Sequence, residues 1–379
     1  MQHSIGKYIE KRLEERRETD NFRSLKILPN HIDFTSNDYL GIARDQDFSA
    51  LVQDQLLPNK FLGSTGSRLL SGNNEIAIAL ENKIAVFHKG ESALLMNSGF
   101  DANSGLLAAL PYKGDTILFD EKSHASIHDG CRAGKANAIS FQHNNCHDLE
   151  EKLRTATGLK YVVVESIYSM DGDLADLKNI SALCEKYEAG LIVDEAHATG
   201  ILGHNGGGLV NQLELESKCL ARVHTFGKAL GSFGAAIICS EQLKQFLINY
   251  CRPFIFSTAL PPQLLLQLHA VYNYFPHLQK RRELLQHYAA VFQQQIQSTN
   301  TLELPASATP IQSVIMRGST IVTEAAETLQ RQGFDVRPIR YPTVAKNSER
   351  IRVCLHSFNS EEEILSLASA INKLKFHGS

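Results

Sequence analysis

KYVVVE (160 to 165), GLIVD (190 to 194) and RVHTF (222 to 226) are three short β-branched runs, separated by stretches with helical patterning. Runs this apolar, without polar alternation, fit strands buried on both faces of a parallel sheet. Working outward, SALLM (92 to 96) and DTILF (115 to 119) precede them and GAAIIC (234 to 239) follows, again with helical patterns between. The alternation predicts an α/β domain with a mostly parallel central sheet flanked by helices on both faces. Upstream, Ile5, Tyr8, Ile9 and Leu13 recur at helical spacing among charges, an amphipathic helix whose apolar face needs something to dock on. Downstream, HLQKRRELLQHYAAVFQQQIQ (277 to 297) reads as one long polar helix, followed by SVIMR, a helix around 321 to 332, the strand IRVCL and a last helix from 360. The expected organisation is an N-terminal arm (1–45), a large cofactor domain (46–275) and a smaller α+β C-terminal domain (276–379).

The chain has 379 residues, with 38 Lys and Arg against 41 Asp and Glu, a formal charge of −3. Hydrophobic residues at 43% and charged ones at 21% are globular proportions. No basic excess stands ready to neutralise nucleic-acid phosphates, and no polybasic run faces a membrane. The expected partners are small molecules and protein chains, with no nucleic acid and no membrane. Seven scattered cysteines without a C-x-x-C pair suit reduced thiols. The charged N-terminus lacks a secretory apolar stretch, and no run approaches the roughly 18 apolar residues that cross a bilayer. The expected location is cytoplasmic.

In open parallel sheets, ligands gather beyond the carboxyl ends of the strands. After DTILF come Asp120, Ser123 and His124; after YVVVE, Ser169; after LIV, Asp194 and His197; after VHTF, Gly227 and Lys228. Singly these are weak signals, since a strand-end Asp is more often a cap and a lone Lys more often a solvated charge. Lys228, however, is bracketed by small and apolar residues, a setting that disfavours the charged amine and suits Schiff-base chemistry. NSGFDAN (97 to 103) opens a helical pattern whose first N–H groups, at Ser98, Gly99 and Phe100, would cup an anion. The competing reading is an ordinary strand-to-helix turn capped by Ser98. Thr225 offers a hydroxyl to the same anion. An amine, an anion cup and a carboxylate together describe a pyridoxal 5'-phosphate site.

FTSNDYLG (34 to 41), GSTGSRLLSG (63 to 72), NSGFDAN (97 to 103), DEKSHASIHDG (120 to 130), SMDGD (169 to 173), VDEAHATG (193 to 200), TFGKALG (225 to 231) and STALPP (257 to 262) follow in order along nearly the whole chain. In this set the chain resembles the α-oxoamine synthases, which are fold-type I pyridoxal-phosphate-dependent transferases. The resemblance implies that Lys228 bonds the cofactor aldehyde and acts as the base at the substrate Cα, and that Asp194 pairs with the ring nitrogen. At ~4 Å and an effective dielectric of ~20, such a pair stabilises the protonated ring by about 4 kcal/mol. It also implies that His124 stacks on the ring and touches substrate, that His197 and Ser169 hold the phenolic edge, and that Gly99, Phe100 and Thr225 bind cofactor or its phosphate. Thr258 would reach the phosphate of a neighbouring subunit in a homodimer with shared sites. Arg340 would clamp the amino-acid carboxylate, with Arg23, Thr343, Asn37 and His124 as further substrate contacts; both arginines could instead be surface charges.

The activity so implied is a decarboxylating condensation of an amino acid with an acyl thioester, carried on CoA or an acyl carrier protein. In the branch most resembled, the pair is L-alanine and a pimeloyl thioester. The alternatives are a glycine- or serine-using acyltransferase of the same family and a catalytically dead scaffold. No metal is expected: HNNCH (143 to 147) has ligand residue types at close spacing but no second pair to complete a site. No phosphate loop of nucleotide kinases and no G-x-G-x-x-G is present, which removes the main support for kinase or dehydrogenase readings.

Overall fold

The computed structural model describes residues 2–19, 21–56, 63–297 and 303–374. Contacts between Cα atoms divide them into two compact units. One contains the described residues of 37–169 and 174–283, the other those of 1–36, 170–173 and 284–379. The chain thus enters the first unit after Ser36, leaves it briefly at 170–173, and leaves it for good inside the long helix Gln279–Gln297.

The larger unit is built on seven strands: β1 (Ser92–Met96), β2 (Thr116–Asp120), β3 (Asn137–Phe141), β4 (Lys160–Glu165), β5 (Ala189–Asp194), β6 (Cys219–Thr225) and β7 (Ala235–Cys239). Their order across the sheet is β1-β7-β6-β5-β4-β2-β3. Every neighbouring pair is parallel except those of β7, which runs antiparallel to both β1 and β6. GAAIIC therefore departs from the expected parallel direction, because an apolar run carries no sign of which way it points. β3 has no counterpart among the runs read from sequence. It lies at the sheet edge, and only Phe141 of its five residues is buried, so it lacks an apolar signature.

Leu94, Leu106, Ile117, Val163, Ile192, Val223 and Ile237 join one core in which strands and the helix Gly99–Ala109 meet. A fully buried aliphatic side chain of this kind contributes about 1.5–3 kcal/mol. Because β2, β4, β5 and β6 run the same way, their last residues, Asp120, Glu165, Asp194 and Thr225, fall along one rim.

The smaller unit holds an antiparallel sheet of β8 (Ile311–Ile315), β9 (Arg337–Ile339) and β10 (Arg350–Cys354), ordered β9-β10-β8. Ile32–Asp33 pairs in parallel with Phe334–Asp335, so the N-terminal segment is built into this unit. Its separate core includes Phe34, Phe292, Val314, Leu329, Ile351 and Leu367. In the helix Gln2–Glu18, Ile5, Tyr8, Ile9 and Leu13 are exposed, so the single chain leaves uncovered the face expected to dock. No helix among the described residues is long and apolar enough to cross a membrane.

Candidate active site

The site grows from the strand ends of the larger unit. Asp194, the last residue of β5, is 5% exposed. One of its carboxylate oxygens accepts the Ala196 N–H at 2.8 Å and the other the Asn103 side-chain amide at 2.7 Å. Asn103 also donates to Ser126 Oγ at 3.1 Å, and Ser126 Oγ lies 2.8 Å from His124 Nδ1. An unbroken hydrogen-bonded chain therefore links Asp194 to His124, the residue that caps the helix Ala125–Ala133. His124 is exposed as a residue, and its ring Nδ1 accepts the Ser126 N–H at 3.2 Å. Desolvation, then the Lys228 cation, pushes its pKa below the ordinary value, against the opposing pull of Asp194.

Lys228 follows β6 on a tight turn in which the Gly231 N–H bonds the Lys228 carbonyl at 2.8 Å. Gly231 adopts φ +58, and a Cβ there would come within 2.4 Å of the Ala43 nitrogen, so this turn requires glycine. The Lys228 Nζ sits 2.7 Å from His197 Nε2. The other ring nitrogen of His197 lies 2.8 Å from the hydroxyl of Tyr39, which donates to Asn37 Oδ1 at 3.0 Å. Asn37 and Tyr39, from the FTSNDYLG motif, are thereby joined to the lysine.

The helix predicted to open in NSGFDAN begins in the expected place. Ser98 caps the helix Gly99–Ala109, its Oγ accepting the Asp101 N–H at 3.0 Å. Gly99 lies against the end of β6: a Cβ there would stand 3.4 Å from Thr225 Oγ1. Thr225 is 8% exposed and half-engaged, donating to the Gly234 carbonyl at 3.3 Å. Phe100 stands edge-on to His124, with ring centroids 6.5 Å apart. Thr258 is exposed on a cleft that it shares with Arg68 and Asn97, and its carbonyl accepts the Asn97 amide at 3.0 Å. Ser169 is buried near the end of β4.

Two residues on the same rim do other work. Asp120 is fully buried and accepts from His143 Nδ1 at 3.0 Å and the Asn144 N–H at 2.9 Å. Burial raises its pKa, but the His143 hydrogen bond and the Asn144 N–H more than offset that and hold it below the usual range. His143 is thus a partner of Asp120, and among the described residues no group of His, Cys, Asp and Glu is arranged to hold a metal. The residue that sequence reasoning missed is Glu165, at the end of β4 and in register with Asp194. A carboxylate closing a buried strand beside another strand-end carboxylate was its only sequence signal.

The smaller unit carries its own cluster. Arg23 Nη2 donates to Thr343 Oγ1 at 3.1 Å, while Arg340 reaches Thr323 Oγ1 and the Phe22 carbonyl, each at 3.5 Å. The Thr343 N–H bonds the Arg340 carbonyl at 2.9 Å. Arg23, 320 residues from Thr343, therefore joins Thr343 and Arg340 in one place in that unit. Arg23 is exposed and Arg340 half-buried.

The donor set fits pyridoxal phosphate. A lysine amine with a hydrogen-bonded imidazole, a buried carboxylate on a strand end, and a glycine at a helix start against a threonine hydroxyl are groups that could serve as an aldehyde partner, a ring-nitrogen partner and a phosphate cradle.

The family described as aminotransferase class I and II matches residues 29–371 of the chain. An 8-amino-7-oxononanoate synthase of Emericella nidulans is 39% identical over 378 residues, covering 92% of this chain and 90% of the relative. Among solved structures, a serine palmitoyltransferase of Sphingomonas wittichii superposes with a TM-score of 0.85 at 29% identity, covering 90% of this chain and 86% of that one. An 8-amino-7-oxononanoate synthase of Francisella tularensis does so with a TM-score of 0.79 at 28% identity, covering 90% and 97%.

Proposed function

Because this chain belongs to the class I and II aminotransferase family and, within it, to the α-oxoamine synthases, we propose that it condenses L-alanine with a pimeloyl thioester. The products are 8-amino-7-oxononanoate, CO2 and the free thiol carrier, a step of biotin synthesis. The observation that carries the substrate reading is the 39% identity, over 92% of the chain, to a relative of that name. The broader statement, a pyridoxal-phosphate-dependent acyltransferase, stands on the family match and the solved relatives together.

Pyridoxal phosphate, when bound, supplies an aldehyde for an amine and a ring that takes up the electron pair left at the substrate Cα. The chain's residues divide the remaining work. Lys228 would hold the cofactor's aldehyde carbon, and its amine would be the group that receives the substrate Cα proton. Asp194, held by Asn103 and the Ala196 N–H, would pair with the ring nitrogen. His197 and Ser169 would hold the phenolic edge, and His124 would meet the ring. Gly99, Phe100 and Thr225 would hold the phosphate, and Thr258, exposed in the single chain, would serve the site of a second copy in a homodimer. Arg340 would clamp the substrate carboxylate through its planar fork, with Arg23 and Thr343 in the same cluster and Asn37 as a further substrate contact.

A second reading, a serine- or glycine-using acyltransferase, draws on the likeness to the serine palmitoyltransferase. One panel separates them: turnover with alanine, glycine and serine, each against pimeloyl, acetyl and palmitoyl thioesters on CoA and on an acyl carrier protein. The expected outcome is fastest turnover with alanine and a pimeloyl thioester. Faster turnover of glycine with the acetyl donor, or serine with the palmitoyl donor, overturns the substrate reading.

A further inference from the structure

Glu165 is 2% exposed and stands beside Asp194 on the neighbouring strand, in direct register. The titratable and charged groups facing it are Asp194 from β5 and Lys228 from the turn after β6. Asp194 has its own hydrogen bonds, to Asn103 and the Ala196 N–H. Glu165 has a different set: its carboxyl accepts the backbone N–H of His124 and the backbone N–H of Ser169. These two N–H groups belong to separate loops, one after β2 and one after β4. A single buried carboxyl therefore fixes both.

We propose that Glu165 is a positioning residue of the cofactor site: it ties the backbones of His124 and Ser169 to one point and so sets the side chains that meet the cofactor's ring face and phenolic edge. Two backbone N–H groups lose a buried acceptor without it, and leaving them unpaired is costly. Its environment agrees. Burial, then the charge of Asp194, pushes the Glu165 carboxyl up to about 8, against the pull of Lys228 and the two N–H groups. A neutral carboxyl still accepts both bonds. The proposal rests on the cofactor assignment and on the roles given to His124 and Ser169, and is independent of which amino acid and thioester are used.

The experiment uses the full chain with pyridoxal phosphate as the only probe and no substrate. Glu165→Ala and Glu165→Gln are compared with the parent by cofactor dissociation constant, by the visible circular dichroism of the bound cofactor, and by melting temperature. Glu165→Ala is expected to bind the cofactor roughly ten- to hundredfold more weakly, with altered dichroism per bound cofactor. Glu165→Gln, which keeps one accepting oxygen, is expected to lose about three- to tenfold. Unchanged affinity and dichroism in a folded Ala variant overturns the proposal. So does weaker binding with unchanged dichroism per bound cofactor, because a general loss of stability lowers occupancy without turning the ring. If Glu165→Ala does not fold, Glu165→Gln decides by the same two readings. Failure of the alanine reading leaves this result untouched, since no amino acid enters the assay.

Discussion

The Lys228 amine lies 2.7 Å from one nitrogen of His197, whose other nitrogen lies 2.8 Å from the Tyr39 hydroxyl. Proton directions follow from the end of this chain. Tyr39 donates its O–H to Asn37 Oδ1, so its oxygen accepts the hydrogen bond of the His197 Nδ1–H, and His197 Nε2 is left to accept from the lysine. The imidazole is thereby held in a single tautomer by a residue more than a hundred positions away in the chain.

Tyr39→Phe removes both the acceptor for His197 and the donor to Asn37 while keeping the ring. Losing a buried partner costs about 1–3 kcal/mol, so turnover is expected to fall roughly five- to hundredfold. Steady-state kinetics, with far-UV circular dichroism to establish that the fold is kept, checks this. Parental kcat in the variant would show that the tautomer is set elsewhere.

Lys228→Ala is expected to retain weak cofactor binding through Asp194, Thr225 and the helix start at Gly99. It should lose the borohydride-reducible link completely and turnover by at least ~10³-fold, the scale of a missing proton-transfer group. Mass spectrometry after borohydride reduction measures the first loss. A reducible link surviving in the variant would place the covalent attachment on another lysine.

Asp194→Asn keeps a side chain able to meet Asn103 but removes the charge at the ring nitrogen. A loss of about 4 kcal/mol, from a charge pair at ~4 Å and an effective dielectric of ~20, corresponds to roughly 10³-fold in rate. Single-turnover kinetics at saturating cofactor separates this from weakened binding, and a variant within tenfold of the parent would remove Asp194 from the electronic role.

Arg340→Lys keeps the charge and loses the planar two-pronged donor. The KM for the amino acid is expected to rise about tenfold or more, with the KM for the thioester little changed. A rise confined to the thioester would instead assign Arg340 to the acyl donor.

The pH dependence of stability has a defined source in the larger unit. His88 and His224 are fully buried with ring centroids 3.8 Å apart. Burial, then the Arg222 charge, pushes His88 down to about 3, and burial, then His88, pushes His224 well below its ordinary value. Above pH 6.5 both states are neutral and the stabilisation is intact; as pH falls from 6.5 toward 3 the unfolded chain alone takes up the proton, and stability is lost. His88→Phe also removes the bonds to the Gly207 carbonyl and the Tyr272 hydroxyl, so it is expected to melt lower at about pH 8 yet to lose less on going to about pH 5. Denaturant melts of the cofactor-free protein at the two pH values test this, and an equally steep loss in the variant would shift the source to another group.

Sequence by itself determined the alternation of buried strands and helices and the rim to which Lys228, Asp194, His197 and Ser169 belong. Strand burial leaves a local apolar signature, and strand ends are adjacent in sequence to the residues they present. The motifs added the family, and with it a reason to look at Arg23, Arg340 and Thr343. The direction of β7 and the existence of β3 were decided only in three dimensions, because an apolar run has no arrow and an exposed edge strand has no apolar run. The same holds for Asp120, which sequence places on the rim but which His143 engages from the next loop. Arg23 meets Thr343 across 320 residues, and Glu165 meets the backbones of His124 and Ser169 from a strand that otherwise reads as core. Hydrogen bonds between remote segments depend on where folding places donors and acceptors, and local periodicity carries no record of that.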